Sequence, residues 1–353
     1  MPYKHIPVML SEAVSFLNCI PGGIYVDCTL GGSGHALAIV EKIIPGGLLI
    51  GIDQDKDAVL NAKKALRPYE LNVRLFHENF VNLPDILSQI NIDAVNGILL
   101  DLGVSFYQLE LSGRGFSFKK DEPLDMRMNI NSQVKAEDLV NGMDEEGLKK
   151  LFKQYGEERR AKQIAHNIVK ARKRKRICSA TQLAQIVCDA VPKKSLFAQK
   201  IHPATRVFMA LRIAVNRELE LLDSFMQNAV NFLMPKGRLC IISFHSLEDR
   251  IVKHRIKALG GKCICPPDFP KCVCNPKKVV CSLTRKVLRP TVEEISVNPM
   301  ARSAKLRACE KIGNGKEERG NGKEERGKRK EERSIDLLHP LSSILLTWYF
   351  KGR

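Results

Sequence analysis

Aromatic residues are scarce in this chain of 353 residues, at 6% with a single tryptophan, and acidic residues, at 39, fall well short of the 57 lysines and arginines. Long hydrophobic runs are missing as well. No stretch approaches the roughly 18 uninterrupted apolar residues of a membrane-spanning helix, which excludes a helical membrane protein. Residues Met1 to Leu10 lack the basic, then apolar, then small-residue order of a secretory leader, so a cytoplasmic location is expected. What is present is 44% hydrophobic and 27% charged residues. That balance fits a globular chain and excludes a disordered or fibrous one, and the length suggests about two domains. The formal net charge of +18 favours polyanionic partners, although basic residues also serve simply to solubilise a surface. Eleven cysteines without an export signal read as thiols, metal ligands or buried side chains rather than disulfides.

Short apolar runs alternate with helix-like stretches through the first third of the chain. Ile24–Asp27, Leu48–Asp53, Val73–Phe76 and Gly97–Asp101 read as strands, with helices near Ala36–Ile44, Lys56–Leu66 and Leu83–Ile90. Such alternation predicts a parallel sheet covered on both faces, with ligands at the carboxyl ends of the strands. After Asp101 comes a polar, glycine-containing segment and then helices from about Ala136 to Val191, read as an inserted helical subdomain. It contains Lys170 and Arg172, Lys173, Arg174, Lys175 and Arg176, a basic run that is either an RNA contact or a solvated face. Apolar residues Phe208, Leu211, Val215, Leu219, Leu222, Met226, Ala229 and Leu233 recur in steps of three and four, predicting one long helix over Ala204–Leu233. Gly237–Ser243 then returns as a strand. The predicted organisation is a catalytic domain split into 1–107 and 203–312, an insertion at 108–202, and a tail at 313–353. The tail opens with the tandem units GNGKEER, GNGKEER and GKRKEER, which cannot bury a core and read as a disordered linker. Ile335–Phe350 beyond it is apolar but broken by Pro340, and either packs on the body or forms an interfacial helix.

The segment Val26-Asp-Cys-Thr-Leu-Gly-Gly-Ser-Gly-His35 follows the first strand and opens a helix, where glycines allow a ligand close to the backbone. A dinucleotide fingerprint needs a third glycine where Leu37 stands. Asp53, ending the second strand, suits the two hydroxyls of a ribose; a turn or helix-cap role is the alternative. Four close thiols, Cys263, Cys265, Cys272 and Cys274, resemble a metal knuckle, but the C-x-C spacing departs from the usual C-x2-C.

Asp101-Leu-Gly-Val-Ser-Phe-Tyr-Gln-Leu109, Arg114-Gly-Phe-Ser-Phe118 and Pro123-Leu-Asp-Met-Arg-Met128 resemble the bacterial small-subunit rRNA cytosine-N(4) methyltransferase family (RsmH/MraW). His5–Leu10, Tyr155–Arg159, His202–Arg206, Leu211–Asn216, Ile242–Arg250 and Ala301–Arg307 continue the likeness in order, so it covers about residues 4 to 308. The resemblance implies a doubly wound α/β, Rossmann-like S-adenosylmethionine-dependent methyltransferase sheet with an inserted helical domain. It implies methylation of the exocyclic N(4) amine of a cytidine in the decoding region of 16S rRNA, within the small ribosomal subunit, and points to a homodimer. The cofactor S-adenosyl-L-methionine would be held by Ser33, Gly34, His35, Asp53, Phe80, Asp101 and Gln108. Asp101 is the first candidate to accept hydrogen bonds from the reacting amine, or else it positions the cofactor. His245 and Ser246 are candidates for the target base. Arg206 and Arg212 are candidate phosphate or cofactor contacts, and Asp249 and Arg250 candidates for structural ion pairs. No metal is implied, the cysteine cluster resembling a variant within the family. Departures from the pattern are Phe106, Ser33 and Met300, and the Asp/Ser-Pro-Pro-aromatic motif of many amino-methyltransferases is missing. The rivals are a nicotinamide-dependent oxidoreductase, disfavoured by the missing glycine, and a non-catalytic RNA-binding or assembly factor, disfavoured by the intact Asp53 and Asp101.

Overall fold

The computed structural model describes residues 6–192, 201–265 and 277–313. Cys272 and Cys274, the repeats from residue 314 onward and the apolar C-terminal segment lie outside the described residues. Five strands run parallel: β1 (Ile24–Asp27), β2 (Leu48–Asp53), β3 (Val73–His77), β4 (Val95–Asp101) and β5 (Leu233–Ser243). β7 (Lys305–Lys311) is antiparallel both to β5 and to β6 (Val280–Ser282), giving a sheet ordered β3-β2-β1-β4-β5-β7-β6. The first four strands form where the apolar runs predict them. β5 starts earlier than expected, at Leu233.

These strands are apolar almost throughout because helices cover both faces. Side chains alternate between the faces. In β4, Ile98 and Leu100 join Val26, Ile50 and Ile52 on one side, while Leu99 joins Tyr25 and Leu49 on the other. The second side packs on α1 (Leu10–Leu17), α2 (Gly34–Ile43) and α3 (Lys56–Ala65); the first on α4 (Leu83–Gln89) and on two later helices.

Between the hydrogen-bonded neighbours β4 and β5 the chain inserts a third core. Short α5 (Phe106–Glu110) leads to α6 (Ala136–Gly142), α7 (Glu145–Gly156), α8 (Ala161–Arg172) and α9 (Ala180–Asp189). Phe152, Ile164 and Leu183 pack there with Met126, Phe208 and Leu211, so α10 (Ala204–Asn216) shares this core.

The single helix expected over Ala204–Leu233 is instead two. Arg217 takes a left-handed conformation (φ 51°), ending α10 and starting α11 (Glu218–Asn228), and a 3-10 turn follows at Ala229–Phe232. The apolar stripe hides the break because its members stay buried, first against the insertion and then against the sheet. Asn216 fixes the kink: its Nδ2 donates to the carbonyls of Met126 and Arg212, and its Oδ1 accepts from the Met128 N–H. α12 (Ser246–Leu259) and α13 (Val292–Val297) complete the described helices. None of these helices is long and apolar enough to cross a membrane.

Candidate active site

A cavity of about 310 Å³ opens at the carboxyl ends of β1, β2 and β4. The loop after β1 lines it with Thr29, Gly31, Gly32, Gly34 and His35; Asp53, Phe80, Asp101 and Gln108 line it too. Six of the seven residues that the resemblance assigns to the cofactor therefore converge. Ser33 is the exception: fully buried and left-handed (φ 66°), it shapes the start of α2 and is not part of the lining. At Gly34 a Cβ would sit 2.7 Å from Pro7, so only glycine lets the N-terminal segment lie against the loop. Gly103, next to β4, takes φ +106° with the Phe244 ring close by, a conformation that side-chain-bearing residues rarely adopt.

The polar groups fall into two sets. Asp53 accepts hydrogen bonds from Gly31 N–H (3.0 Å) and Asp55 N–H (2.8 Å), and burial lifts its carboxyl to about 6 against their pull. Asp27, fully buried at the end of β1, accepts from Thr29 N–H through Oδ1, while its Oδ2 has no hydrogen-bond partner among the described residues. Burial, with a contribution from Asp53, pushes it up to about 8. Asp101 is similar: its Oδ1 has no such partner, its Oδ2 lies 3.6 Å from His35 Nδ1, and burial, then Asp27 and Glu248, push its carboxyl well above the usual range. His35 donates through Nε2 to the Val8 carbonyl (3.1 Å), tying the N-terminal segment to the loop.

Glu248 forms the contrasting set. Its Oε2 accepts from Phe244 N–H (2.7 Å) and His245 N–H (3.2 Å), and its Oε1 lies 3.0 Å from His245 Nε2. Burial alone would raise this carboxyl, but His245, Arg212 and the Phe244 N–H together hold it below its ordinary value. His245 does not line the cavity; its Nδ1 accepts the Glu248 N–H (3.4 Å), capping α12, which leaves the ring proton on Nε2, an atom 3.0 Å from Glu248 Oε1 but without a hydrogen-bond partner among the described residues. Ser246 donates to Glu157.

Glu218, His245 and Glu248 bring ligand-type atoms within 4.8 Å of one another. Arg212 holds both Glu218 oxygens (2.8 and 2.9 Å), and His245 Nε2 lies 3.0 Å from Glu248 Oε1. Arg212 is thus committed to Glu218, which lines the cavity, and Arg206 lies 4.0 Å from Glu158. Asp249 and Arg250 do form ion pairs, with Arg307 and Glu157 respectively.

Gln108 is spent structurally as well. Its carbonyl oxygen accepts the Ser105 N–H and its Nε2 donates to Asp55 Oδ2, which Arg114 also contacts at 2.6 Å. Asp55 is 3% exposed, so this trio is a buried knot joining the insertion's first segment to the cap of α3.

Sequence reasoning passed over Asp27, Thr29, Glu218 and Glu248. Asp27 ends its strand as Asp53 and Asp101 end theirs, and Glu248 stands three residues after the His245 cap, where an acid closes a capping box. Both signals are in the sequence.

The strands form a Rossmann-like α/β sheet, with an antiparallel β7 beside β5 and a glycine loop after β1. The MraW methylase family matches residues 2–312, and the chain belongs to that family. It is similar to "Ribosomal RNA small subunit methyltransferase H" of Desulfosudis oleivorans, 52% identical over 88% of this chain and 100% of that one. The protein of the same name from Clostridium botulinum strain Loch Maree is 48% identical over the same shares. Among solved structures, Aeropyrum pernix fibrillarin with bound S-adenosyl-L-methionine aligns at a TM-score of 0.36 and 9% identity, over 85% of this chain and 73% of that one.

Proposed function

We propose that this chain methylates small-subunit rRNA in the cytoplasm, moving the methyl of S-adenosyl-L-methionine to the exocyclic N(4) amine of one cytidine in the decoding region of 16S rRNA. The observation that carries the reading is the convergence of the glycine loop, Asp53, Phe80 and Asp101 on one cavity in a chain half identical to rRNA small-subunit methyltransferases. The residues suit the donor. Asp53 keeps lone pairs for a ribose, Phe80, at 8% exposure and edge-on to Phe225, offers an apolar wall for adenine, and the loop at Gly34 and His35 suits the methionine part. Asp101, whose Oδ1 has no hydrogen-bond partner among the described residues, would be matched by the cationic sulfur of the donor. Ser33 acts from behind the cavity wall, setting the loop, and Gln108 on the wall holds the Asp55 knot.

The cytosine amine is a weak nucleophile because its lone pair is delocalised into the ring, so alignment supplies much of the rate. A cytidine stacked in a helix hides that amine, and it must be turned out to reach the cavity. The basic run of the insertion would hold flanking phosphates, and the substrate is 16S rRNA within the small subunit, with a homodimer as the working assembly. The test is transfer of labelled methyl from S-adenosylmethionine to small subunits and to free 16S rRNA from a deletion strain, with nucleoside mass spectrometry. Label in N(4)-methylcytidine is the expected result; cofactor binding without any incorporation into rRNA overturns the reading.

A further inference from the structure

Two of the carboxyls that line the cavity are of opposite character: Asp101 at the end of β4, and Glu248 in the first turn of α12, just after β5. Asp101 receives no hydrogen bond at Oδ1 among the described residues. Glu248, 2% exposed, has its Oε2 pinned by two backbone N–H groups at the start of α12, and its Oε1 lies 3.0 Å from His245 Nε2, which makes no hydrogen bond among the described residues. An acid in the first turn of a helix is further stabilised as an anion by the unpaired N–H groups there. Both line the cavity. When two carboxyls share a site, the one surrounded by donors keeps the negative charge, and that one is suited to take a proton.

We propose that Glu248, rather than Asp101, is the catalytic residue that accepts the hydrogen bond and then the proton of the reacting amine, with His245 as the positioning residue that aims it. This rests on the cytidine reading above. As the N–C bond forms, the C–S bond of the sulfonium breaks and its electron pair leaves on sulfur, giving the neutral thioether. The nitrogen becomes tetrahedral and acidic; one N(4) proton passes to Glu248 and on to water, leaving N(4)-methylcytidine. Asp101 then serves the donor side of the cavity. The groups facing Glu248 are His245, Arg212, Glu218 and Asp101, and the first two offset the charge of the last two.

The test combines binding and turnover. A 16S-derived RNA carrying the target cytidine is compared with one carrying 2-pyrimidinone, which lacks the amine, both in the presence of S-adenosylhomocysteine. Wild-type protein should bind the cytidine RNA about tenfold or more tighter, the worth of one charge-assisted hydrogen bond. Glu248→Gln should lose that preference and drop kcat by roughly a hundredfold, with S-adenosylmethionine affinity unchanged. His245→Asn should lower kcat less and leave KM for RNA near wild type. If Gln destabilises the fold by melting analysis, Glu248→Asp, which keeps the charge and the cap but draws the oxygens back, should show the same loss. Absence of amine discrimination in the wild type, or a variant that keeps both discrimination and rate, overturns the proposal. A wild type whose methylated nucleoside is not N(4)-methylcytidine would instead sink the reading on which it rests.

Discussion

The strand-end cavity and the inserted domain use charge in opposite ways. Asp53, Asp101 and Glu248 line the cavity and Asp27 lies buried at the end of β1; burial raises the three aspartates, whereas His245, Arg212 and the Phe244 N–H hold Glu248 below its ordinary value. On the insertion, Lys170, Lys173, Arg174 and Lys175 are exposed and make no ion pair among the described residues. Their neighbours Arg172 and Arg176 are tied to the Val140 carbonyl and to Glu137. Buried charge is specific and sensitive to one atom's position. Exposed charge is additive and screened by salt. One region gathers buried carboxyls and the other exposed cations.

The largest effect should come from breaking the link between the two. Arg114→Ala removes the cation from the buried Asp55 knot and should destabilise the protein by about 3–5 kcal/mol, read as a lower denaturant midpoint. A loss below about 1 kcal/mol would show that the two regions stand independently. Next, Asp53→Ala should weaken S-adenosylmethionine binding by about tenfold to a hundredfold in calorimetry, with RNA affinity unchanged. In the wild type the same affinity should fall as pH drops through about 6, where Asp53 takes up its proton. Replacing Lys173, Arg174 and Lys175 by alanine should cost about tenfold in RNA affinity at moderate salt and flatten the salt dependence by about three phosphate contacts, leaving cofactor binding untouched. Equal loss at all salt concentrations would break the contrast.

A last effect, read as a pH dependence, concerns Asp27. Its carboxyl is raised from 3.8 to about 8 in the folded protein, so the fold binds that proton more tightly than the unfolded chain does. The resulting stability is fully present below pH 3.8 and is lost as pH rises towards about 8. Asp27→Asn should abolish this slope, gaining a few degrees in Tm at pH 8 relative to wild type and little at pH 5. A parallel pair of Tm–pH curves would remove Asp27 from the set of charge-starved carboxyls.

Much of this was legible in the residues, for identifiable reasons. β1 and β2 are apolar runs closed by an aspartate, and the structure keeps their ends at Asp27 and Asp53. The break at Arg217 was not legible, because an apolar stripe does not register that its first half faces the insertion and its second half the sheet. Gln108 stands in a distinctive string, but its partner Asp55 lies far away in sequence, so only the fold shows that its amide is committed. Glu248 was hidden by its neighbours: His245, Asp249 and Arg250 drew the reading, while the acid with the strongest set of donors sat between them.

The placement of the insertion also bears on how the molecule comes to be folded. β4 and β5 are adjacent in the sheet, yet a whole helical domain separates them in sequence, so their pairing closes a very long loop. During synthesis the first four strands and the Asp53 half of the cavity are available early, whereas Phe244 and Glu248 arrive only after α6 to α10 have been made. Contacts of such separation form late and slowly. Compaction of the inserted helices shortens the effective loop that β5 must close, so the folding of helices outside the cavity bears on when its last residues, Phe244 and Glu248, come into place.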